Sequence, residues 1–340
     1  MEGVFTITKS MRYEIVKPVG CTWEDFGKVI NSLRYKCARM ANKSIQMLWD
    51  WNNYKFKFKK EHGSYPDKSE MPNFYKLLRA EFPDVGTQVI SQVLQYVQTK
   101  FMHDLKDICS LKKGIPFYKD NMPICVHNQA YIISEEDGYI IKARLLPEDA
   151  EQYWFSFIIK KGNRGQQSIL ERINSGEYKK GTLQLMRDRH KKWYAVISFS
   201  FEPKPITAHD GTMEVVVSDE SIKMTKGNWI NEMPIAHAME SVARINKRLE
   251  ELRSQKRWRG QGRTGHGRKK IFAPMQGGEE KKANFKATAN HNWSRIIVNT
   301  AIRMKCNVIH LTGEITEWSN FDLKSKVEYK AKEVGIEVVQ

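Results

Sequence analysis

The sequence has few cysteines, no long apolar run and a shortage of acidic residues. Its five cysteines are scattered and include no Cys-x-x-Cys pair, which argues against a disulfide framework and against a zinc ribbon. No apolar stretch approaches the roughly 18 residues of a membrane-spanning helix. Residues 1–10 lack the basic-then-apolar layout of a signal peptide. We therefore expect a soluble protein of a reducing, cytoplasmic compartment, with no membrane partner.

The shortage of acidic residues leaves a strongly basic chain. It has 56 Lys and Arg against 39 Asp and Glu, a formal net charge of +17. This balance favours a polyanionic partner, with nucleic acid ahead of an anionic membrane surface. The 340 residues, 41% of them apolar, suffice for about two domains with real cores and argue against disorder.

The first two thirds of the chain change between strand-like and helical patterns. Residues 4–16 alternate as in a strand, and at Thr22, a predicted helix cap, the apolar period becomes that of a helix. Strand patterns resume after Gly114. The simplest interpretation is one β-barrel or sheet with a helical insertion at residues 21–112.

The last third of the chain predicts an α/β region. Pro203 and Pro205 mark its start, and Gly335 is placed to end its last helix in the left-handed conformation. Residues 259–280 are rich in glycine and basic residues, and we expect them to form a loop. The fold class predicted from these patterns is α+β, with more than one domain.

The densest basic segment covers residues 244–270, with eleven Lys and Arg against two Glu. Glycine lets a backbone approach a phosphate chain closely, arginine grips phosphate oxygens bidentately, and an aromatic ring stacks on a base. The alternative interpretation is a solvated basic loop. The predicted nucleic-acid contacts here are Arg257, Trp258, Arg259, Arg263, Arg268, Lys269 and Lys270.

Three shorter basic stretches are also candidates for nucleic-acid contact. The predicted turns at residues 160–164 and 187–192 should lie at one end of the sheet, although ordinary charged turns have the same composition. Residues 54–60 alternate Lys with Phe; a strand here fits a half-buried edge as well as a platform for bases. The candidate residues are Lys160, Lys161, Arg164, Arg187, Arg189, Lys191, Lys192, Lys55 and Lys57.

The order of these segments resembles that of the miniature type V-F CRISPR effectors and, more distantly, that of the transposon nuclease TnpB. The likeness covers nearly the whole chain, and its specificity lies in the ordered set rather than in any single piece. It is carried by residues 7–11, 16–18, 74–83, 114–118, 187–196, 265–267 and 326–338.

The resemblance implies an α+β multidomain fold. A wedge β-barrel would comprise residues 1–20 and 113–205, with a helical recognition domain inserted at 21–112. Residues 206–340 would form a truncated RuvC domain with an RNase H-like core, lacking the C-terminal zinc ribbon and the last catalytic segment. The implied partners are a guide RNA and target double-stranded DNA in the bacterial cytoplasm, with no cofactor, and a homodimer that shares one guide.

The resemblance also implies an altered catalytic site. RuvC nucleases hold two metal ions with carboxylates from three places. Asp219 falls on the first family position, but Ser221 stands where the family has Gly, and His310 stands at the second carboxylate position. Glu314 is off the matching position, and the third position falls beyond Gln340. We therefore expect a vestigial Asp219, no metal site and no nuclease activity, so that the chain is not an enzyme.

An RNA-guided DNA-binding protein without nuclease activity would serve transcription control. Inactivated relatives near the V-F branch recruit a sigma factor and RNA polymerase, and we expect this role here. Promoter occlusion, as in inactivated TnpB relatives, an active RNA-guided endonuclease, and a plain RNA-binding protein are the alternatives.

Contacts to a target-adjacent DNA motif lie, in the family, in the recognition helices and the wedge. Reading a duplex motif needs polar side chains at base edges. The candidates are Tyr75, Lys76 and Arg79, although a structural helix surface explains them equally well.

Overall fold

The computed structural model describes residues 6–120, 122–136, 138–150, 153–188, 191–203, 210–258 and 266–339. The chain forms two compact units, one spanning Thr6–Phe201 and the other beginning at Glu202. Both combine helices with a sheet, which confirms the predicted α+β class. Within the described ranges, no helix is long and apolar enough to cross a membrane.

A seven-stranded antiparallel sheet, curled into a half-barrel, forms the base of the first unit. The strands are β1 (Ile7–Val19), β2 (Ile124–Val126), β3 (Tyr131–Glu135), β4 (Tyr139–Arg144), β5 (Trp154–Ile159), β6 (Lys179–Arg187) and β7 (Trp193–Phe201). Their order in the sheet is β2-β6-β7-β1-β5-β4-β3, so the first strand of the chain pairs with β7 on one side and with β5 on the other.

Helices of the first unit cover the sheet with apolar stripes. Thr22 caps the first of them as predicted, because its hydroxyl oxygen accepts a hydrogen bond from the Asp25 N–H at 3.1 Å. Phe26 and Ile30 on the same helix are fully buried in the core. The helices are α1 (Trp23–His62), α2 (Phe74–Glu81), α3 (Thr87–Cys109) and α4 (Arg164–Asn174).

Residues 54–60 are helical, so the predicted strand there is wrong. Trp51, Tyr54 and Phe58 are three and four positions apart, the spacing that brings side chains together on one helix face. The ring centroids of Trp51 and Tyr54 are 5.4 Å apart, and those of Tyr54 and Phe58 are 5.9 Å apart. These ring contacts stabilise the helical conformation of α1 in the lysine-rich segment.

The second unit has a five-stranded sheet and three helices among its described residues. The elements are β8 (Gly211–Val217), β9 (Ser221–Lys226), β10 (Trp229–Pro234), α5 (Ala236–Trp258), α6 (His266–Arg303), β11 (Cys306–Gly313), α7 (Asn320–Glu333) and β12 (Glu337–Val339). The strand order is β10-β9-β8-β11-β12, in which β8, β11 and β12 run parallel, whereas β9 and β10 continue the sheet as an antiparallel hairpin. Gly335, with φ of 74°, stops the last helix as predicted.

The predicted loop at 259–280 is wrong from His266 onward, where α6 begins. One of its glycines lies close to the neighbouring helix. A Cβ added at Gly278 would meet Leu249 Cδ2 of α5 at 2.7 Å, so a larger residue there would require the Leu249 side chain to move. Residues 259–265 lie outside the described part of the chain.

Candidate nucleic-acid interface

The basic turns that follow β5 and precede β7 meet at one end of the half-barrel sheet. Lys160 and Lys192 flank Glu14 of β1, with ammonium groups 3.9 and 2.8 Å from its carboxylate oxygens. The hydrogen bond from Lys192 lowers the pKa of Glu14, and the charges of both lysines act in the same direction. The two turns therefore lie together, as expected, and Glu14 offsets part of their charge.

Asp188 holds the second turn in shape. Its carboxylate accepts hydrogen bonds from the Lys192 N–H at 2.9 Å and from the Tyr194 hydroxyl at 3.3 Å. The guanidinium of Arg12 stacks on the Tyr194 ring, 3.5 Å from its centroid, and lies 3.8 Å from Asp188. Asp188 therefore links the two described sides of the turn, next to the exposed Lys191 and Lys192.

Most of the remaining candidates on this unit are exposed cations. Lys57 projects from α1 into solvent, whereas Lys55 is half-buried. Arg187 is also half-buried, and its Nε donates to the Lys191 carbonyl at 3.1 Å. Arg189 lies outside the described residues. The exposed set is Lys160, Lys161, Arg164, Lys191, Lys192 and Lys57, and its contact with nucleic acid stays a prediction.

The basic segment of the second unit is described only in part. Two arginines of α5 are paired: Arg248 lies 3.1 Å from Glu251, and Arg253 lies 2.6 Å from Glu279. The candidates follow these neutralised residues along the chain. Arg257 and Trp258 end α5, Arg268, Lys269 and Lys270 lie in the first turns of α6, and Arg259 and Arg263 fall outside the described ranges.

The three motif-reading candidates on α2 have different environments. The Arg79 guanidinium donates to the carbonyls of Val85 at 3.0 Å and Pro83 at 3.3 Å, so it holds the turn between α2 and α3. Tyr75 packs against the core, whereas Lys76 is exposed. Lys76 is therefore the candidate whose side chain is available to DNA, and the motif role stays a prediction for all three.

A pair of arginines beside Trp193 was partly missed by the sequence analysis. The guanidinium carbons of Arg34 on α1 and Arg187 on β6 each lie 5.5 Å from the centroid of the Trp193 ring. The Nε of Arg34 is buried and finds no hydrogen-bond partner among the described residues. Burial lowers the pKa of Arg34, as does the charge of Arg187, and Asp120 opposes them.

One feature of the sequence indicates where Arg34 lies. Arg34 comes four residues after Ile30 and directly follows Leu33, so it borders the buried apolar stripe of α1. A cation at the edge of such a stripe has its charge close to the core, and this position was the available signal for Arg34.

Asp219, the predicted relic of a catalytic carboxylate, lies in the turn after β8. Both of its carboxylate oxygens accept hydrogen bonds from Thr316, one from the backbone N–H at 2.6 Å and one from the hydroxyl at 2.8 Å. These bonds tie the end of β8 to the segment that follows β11. The carboxylate thus has a structural partner within its own unit.

His310 lies on β11 beside Glu214 of the parallel strand β8. Its Nδ1 is 3.3 Å from the Glu214 carboxylate, and both side chains are exposed on the same face of the sheet. Glu314 follows β11 and lies 3.5 Å from Lys324. No three His, Cys, Asp or Glu side chains come together as a metal site in the described ranges.

Comparison with known proteins gives relatives along nearly the whole chain, although no protein-family model matches. The CRISPR-associated endodeoxyribonuclease Cas12f1 of Sulfoacidibacillus thermotolerans is 28% identical over an alignment of 363 positions, gaps included, that covers 98% of this chain and 85% of the relative. The protein of the same name from Syntrophomonas palmitatica is 27% identical over 357 such positions, covering 94% of this chain and 69% of the relative.

A solved structure has the same overall fold. The cryo-EM structure of the Cas12f1-sgRNA-target DNA complex matches with a TM-score of 0.77 over 98% of this chain and 89% of that one, at 16% sequence identity. The mixed architecture with a curled half-barrel sheet is common to both.

These relatives correct one prediction. The expectation that the chain is not an enzyme is wrong, because both curated relatives are named endodeoxyribonucleases. The expectation counted carboxylates at motif positions along the sequence. That count left out Glu214, which lies beside His310 in the fold.

Proposed function

This chain is homologous to Cas12f1, the miniature type V-F CRISPR effector, and on that premise we propose that it binds a guide RNA and, through it, matching double-stranded DNA. The observation that carries the proposal is the alignment with a Cas12f1 protein over 98% of the chain. The similar solved structure is a complex with sgRNA and target DNA, which supports both partners.

The electrostatics of the chain suit these two partners. In RNA-guided recognition, base pairing between guide and target identifies the sequence. The protein holds the resulting RNA–DNA heteroduplex by contacts to the phosphate backbone and by the shape of the duplex. Such contacts need a surplus of cations, and the chain has a net charge of +17. The exposed lysines around Glu14 are part of that surplus.

Cleavage of the bound DNA is the second candidate function, and the names of both curated relatives favour it. Asp219 follows β8 and Glu314 follows β11, and these two strands are parallel neighbours. The carboxyl ends of neighbouring parallel strands meet at one edge of a sheet, so acidic residues from separate segments reach the same region. Asp219 is the first of them to test by substitution.

Transcription control is a more specific function, and it stays a prediction. The protein would either recruit a sigma factor and RNA polymerase to guide-matched DNA, or repress transcription by occluding a promoter. A homodimer on one guide is a further prediction. Reporter expression from a guide-matched promoter, with and without the sigma factor, measures the first two directly.

The experiment begins with the RNA that the protein selects. The chain is expressed together with its genomic surroundings, purified, and the RNA that copurifies is sequenced. The assembled complex is then offered a duplex that matches the guide and a scrambled duplex of equal length. We expect binding of the matched duplex only; equal binding of both duplexes, or RNA binding without any DNA binding, contradicts the proposal.

The same samples measure cleavage. Incubation of the matched duplex with Mg²⁺ tests the second candidate function, and the Asp219→Ala variant is the control. Cut DNA in the native sample alone supports cleavage by this chain. Intact DNA in a sample that binds the matched duplex leaves RNA-guided binding as the function and rejects cleavage.

A further inference from the structure

We propose that Arg34 and Arg187, both stacked near Trp193, form a binding site for a phosphodiester group of a nucleic acid at the junction of α1 and the half-barrel sheet. The site rests on the proposed function and adds to it a residue, Arg34, that no motif of the sequence identifies. Both arginines belong to the first compact unit, so their geometry is set within one body.

The two guanidiniums have a rigid support. Arg187 ends β6 and is the register partner of Trp193, which begins β7. The Trp193 side chain is 6% exposed, and its ring packs edge-on against Phe26 of α1 with centroids 6.3 Å apart. A ring this deeply buried cannot stack on a base, so its role is to hold the arginines.

The described part of the protein offsets the charge at this place only in part. The charge of Asp120 acts on Arg34, but no described acidic group lies within ion-pair distance of Arg34 or Arg187, and the Arg34 Nε is buried without an acceptor. Nearby Lys160 and Lys192 differ, because they share the carboxylate of Glu14. The charge of Arg187 lowers the pKa of Arg34, so the two cations repel each other, and this repulsion is unfavourable for the folded chain unless an anion joins them.

A phosphodiester is the anion that suits this arrangement. The arginine fork matches the two free oxygens of a phosphate, and hydrogen bonds between ionised groups are roughly twice as strong as neutral ones. A bound phosphate would satisfy donors that the chain leaves unpaired and would cancel repulsion between the two guanidiniums. It would also join α1 to the sheet, since each element contributes one arginine.

The first test compares Arg34→Gln and Arg187→Gln with Arg39→Gln, an exposed arginine further along α1. Affinity is measured over a series of salt concentrations, once for guide RNA with the free protein and once for DNA with the preassembled complex. A plot of the logarithm of the binding constant against the logarithm of the salt concentration has a negative slope. In a variant that no longer neutralises one phosphate, the magnitude of this slope should be smaller by about 0.7 to 0.9. We expect this decrease in Arg34→Gln and in Arg187→Gln, and not in Arg39→Gln.

The two arms identify the source of the phosphate. A decrease in the measurement of guide RNA with the free protein assigns the phosphate to the guide RNA. A decrease confined to the measurement of DNA with the preassembled complex assigns it to DNA. Unchanged slopes in both arms overturn the site. An equal decrease in Arg39→Gln also overturns it, because the effect would then reflect diffuse charge.

Thermal unfolding of the free protein separates binding from structure. Removal of an unneutralised, partly buried cation should leave the midpoint of Arg34→Gln unchanged or raise it. A lowered midpoint with an unchanged salt slope would make Arg34 a structural partner of Trp193 and overturn the site. Arg34→Lys, which keeps the charge without the fork, should recover only part of the affinity. A native chain that binds neither RNA nor guide-matched DNA contradicts the proposed function itself, whereas a native chain that binds with unchanged variant slopes overturns the site alone.

Discussion

Asp219 accepts two hydrogen bonds from Thr316, 2.6 Å from its backbone N–H and 2.8 Å from its hydroxyl. The residues belong to segments that follow β8 and β11, so the pair joins the carboxyl ends of neighbouring parallel strands. The Asp219 carboxylate therefore stabilises the fold by linking these two segments, whether or not it also takes part in DNA cleavage.

The Asp219–Thr316 pair predicts an order of stability. Asp219→Ala removes both bonds and should destabilise the chain by about 1–2 kcal/mol, whereas Thr316→Val removes only the hydroxyl bond and should cost less. Guide-directed DNA binding should be unchanged in both variants. If the second candidate function holds, Asp219→Ala should abolish the cleavage that the native chain performs with Mg²⁺. Thermal unfolding and a cleavage assay measure the two effects. Equal destabilisation by both substitutions would contradict the assigned bonding.

The Glu14–Lys192 pair predicts a change in stability on the acid side. The hydrogen bond from Lys192 holds the pKa of Glu14 below its ordinary value of 4.5. A carboxyl with a lowered pKa stabilises the folded state above its unfolded pKa, and this contribution is lost as the pH falls through the folded pKa. Glu14→Gln should therefore weaken the acid-side decrease of the unfolding midpoint. Parallel profiles for native and variant protein from pH 3 to pH 6 would rule out the contribution.

The basic segment of the second unit predicts a large electrostatic effect. Neutralising four of its arginines should lower the log–log salt slope of nucleic-acid binding by about 0.7 to 0.9 for each phosphate that the variant no longer neutralises. A matched variant neutralises Arg248 and Arg253, which are already paired with acids, and should change the slope little. Unchanged binding would remove the segment from the interface. The four substitutions are Arg257→Ala, Arg259→Ala, Arg263→Ala and Arg268→Ala.

Lys76 and Arg79 should separate DNA recognition from folding. Arg79→Ala leaves the carbonyls of Pro83 and Val85 without their donor, so it should lower the unfolding midpoint by several degrees. Lys76→Ala removes an exposed side chain and should leave the midpoint unchanged while it shifts the preference for target-adjacent motifs. Selection from a randomised duplex library measures that preference. An unshifted preference in Lys76→Ala removes this residue from motif reading.

Local features of the fold could be predicted because their causes are local. The cap at Thr22 and the stop at Gly335 follow from single residues and their neighbours. The hairpin of β9 and β10 was missed because β10 has the apolar Ile230 on its exposed face and the polar Asn231 on its half-buried face, which interrupts the alternation typical of a strand. Gly227, with φ of 53° between the two strands, was the available turn signal.

The candidate site was less accessible to sequence reasoning. Cations in turns can be counted, but whether a charge is neutralised depends on residues far apart in the chain. Glu14 and Lys192 meet because β1 and β7 are paired, and Arg34 meets Trp193 because α1 packs on the sheet. The excess of positive charge was therefore predictable, whereas its division into paired and unpaired cations was not.

The central claim is that this chain binds DNA through a guide RNA. Its most direct measurement is the ratio of dissociation constants, at one salt concentration, between a scrambled and a guide-matched duplex for the complex with its copurified RNA. The account predicts that the matched duplex binds at least about a thousandfold more tightly, the lower end of the range for specific DNA recognition. Equal affinity for the two duplexes would contradict the account.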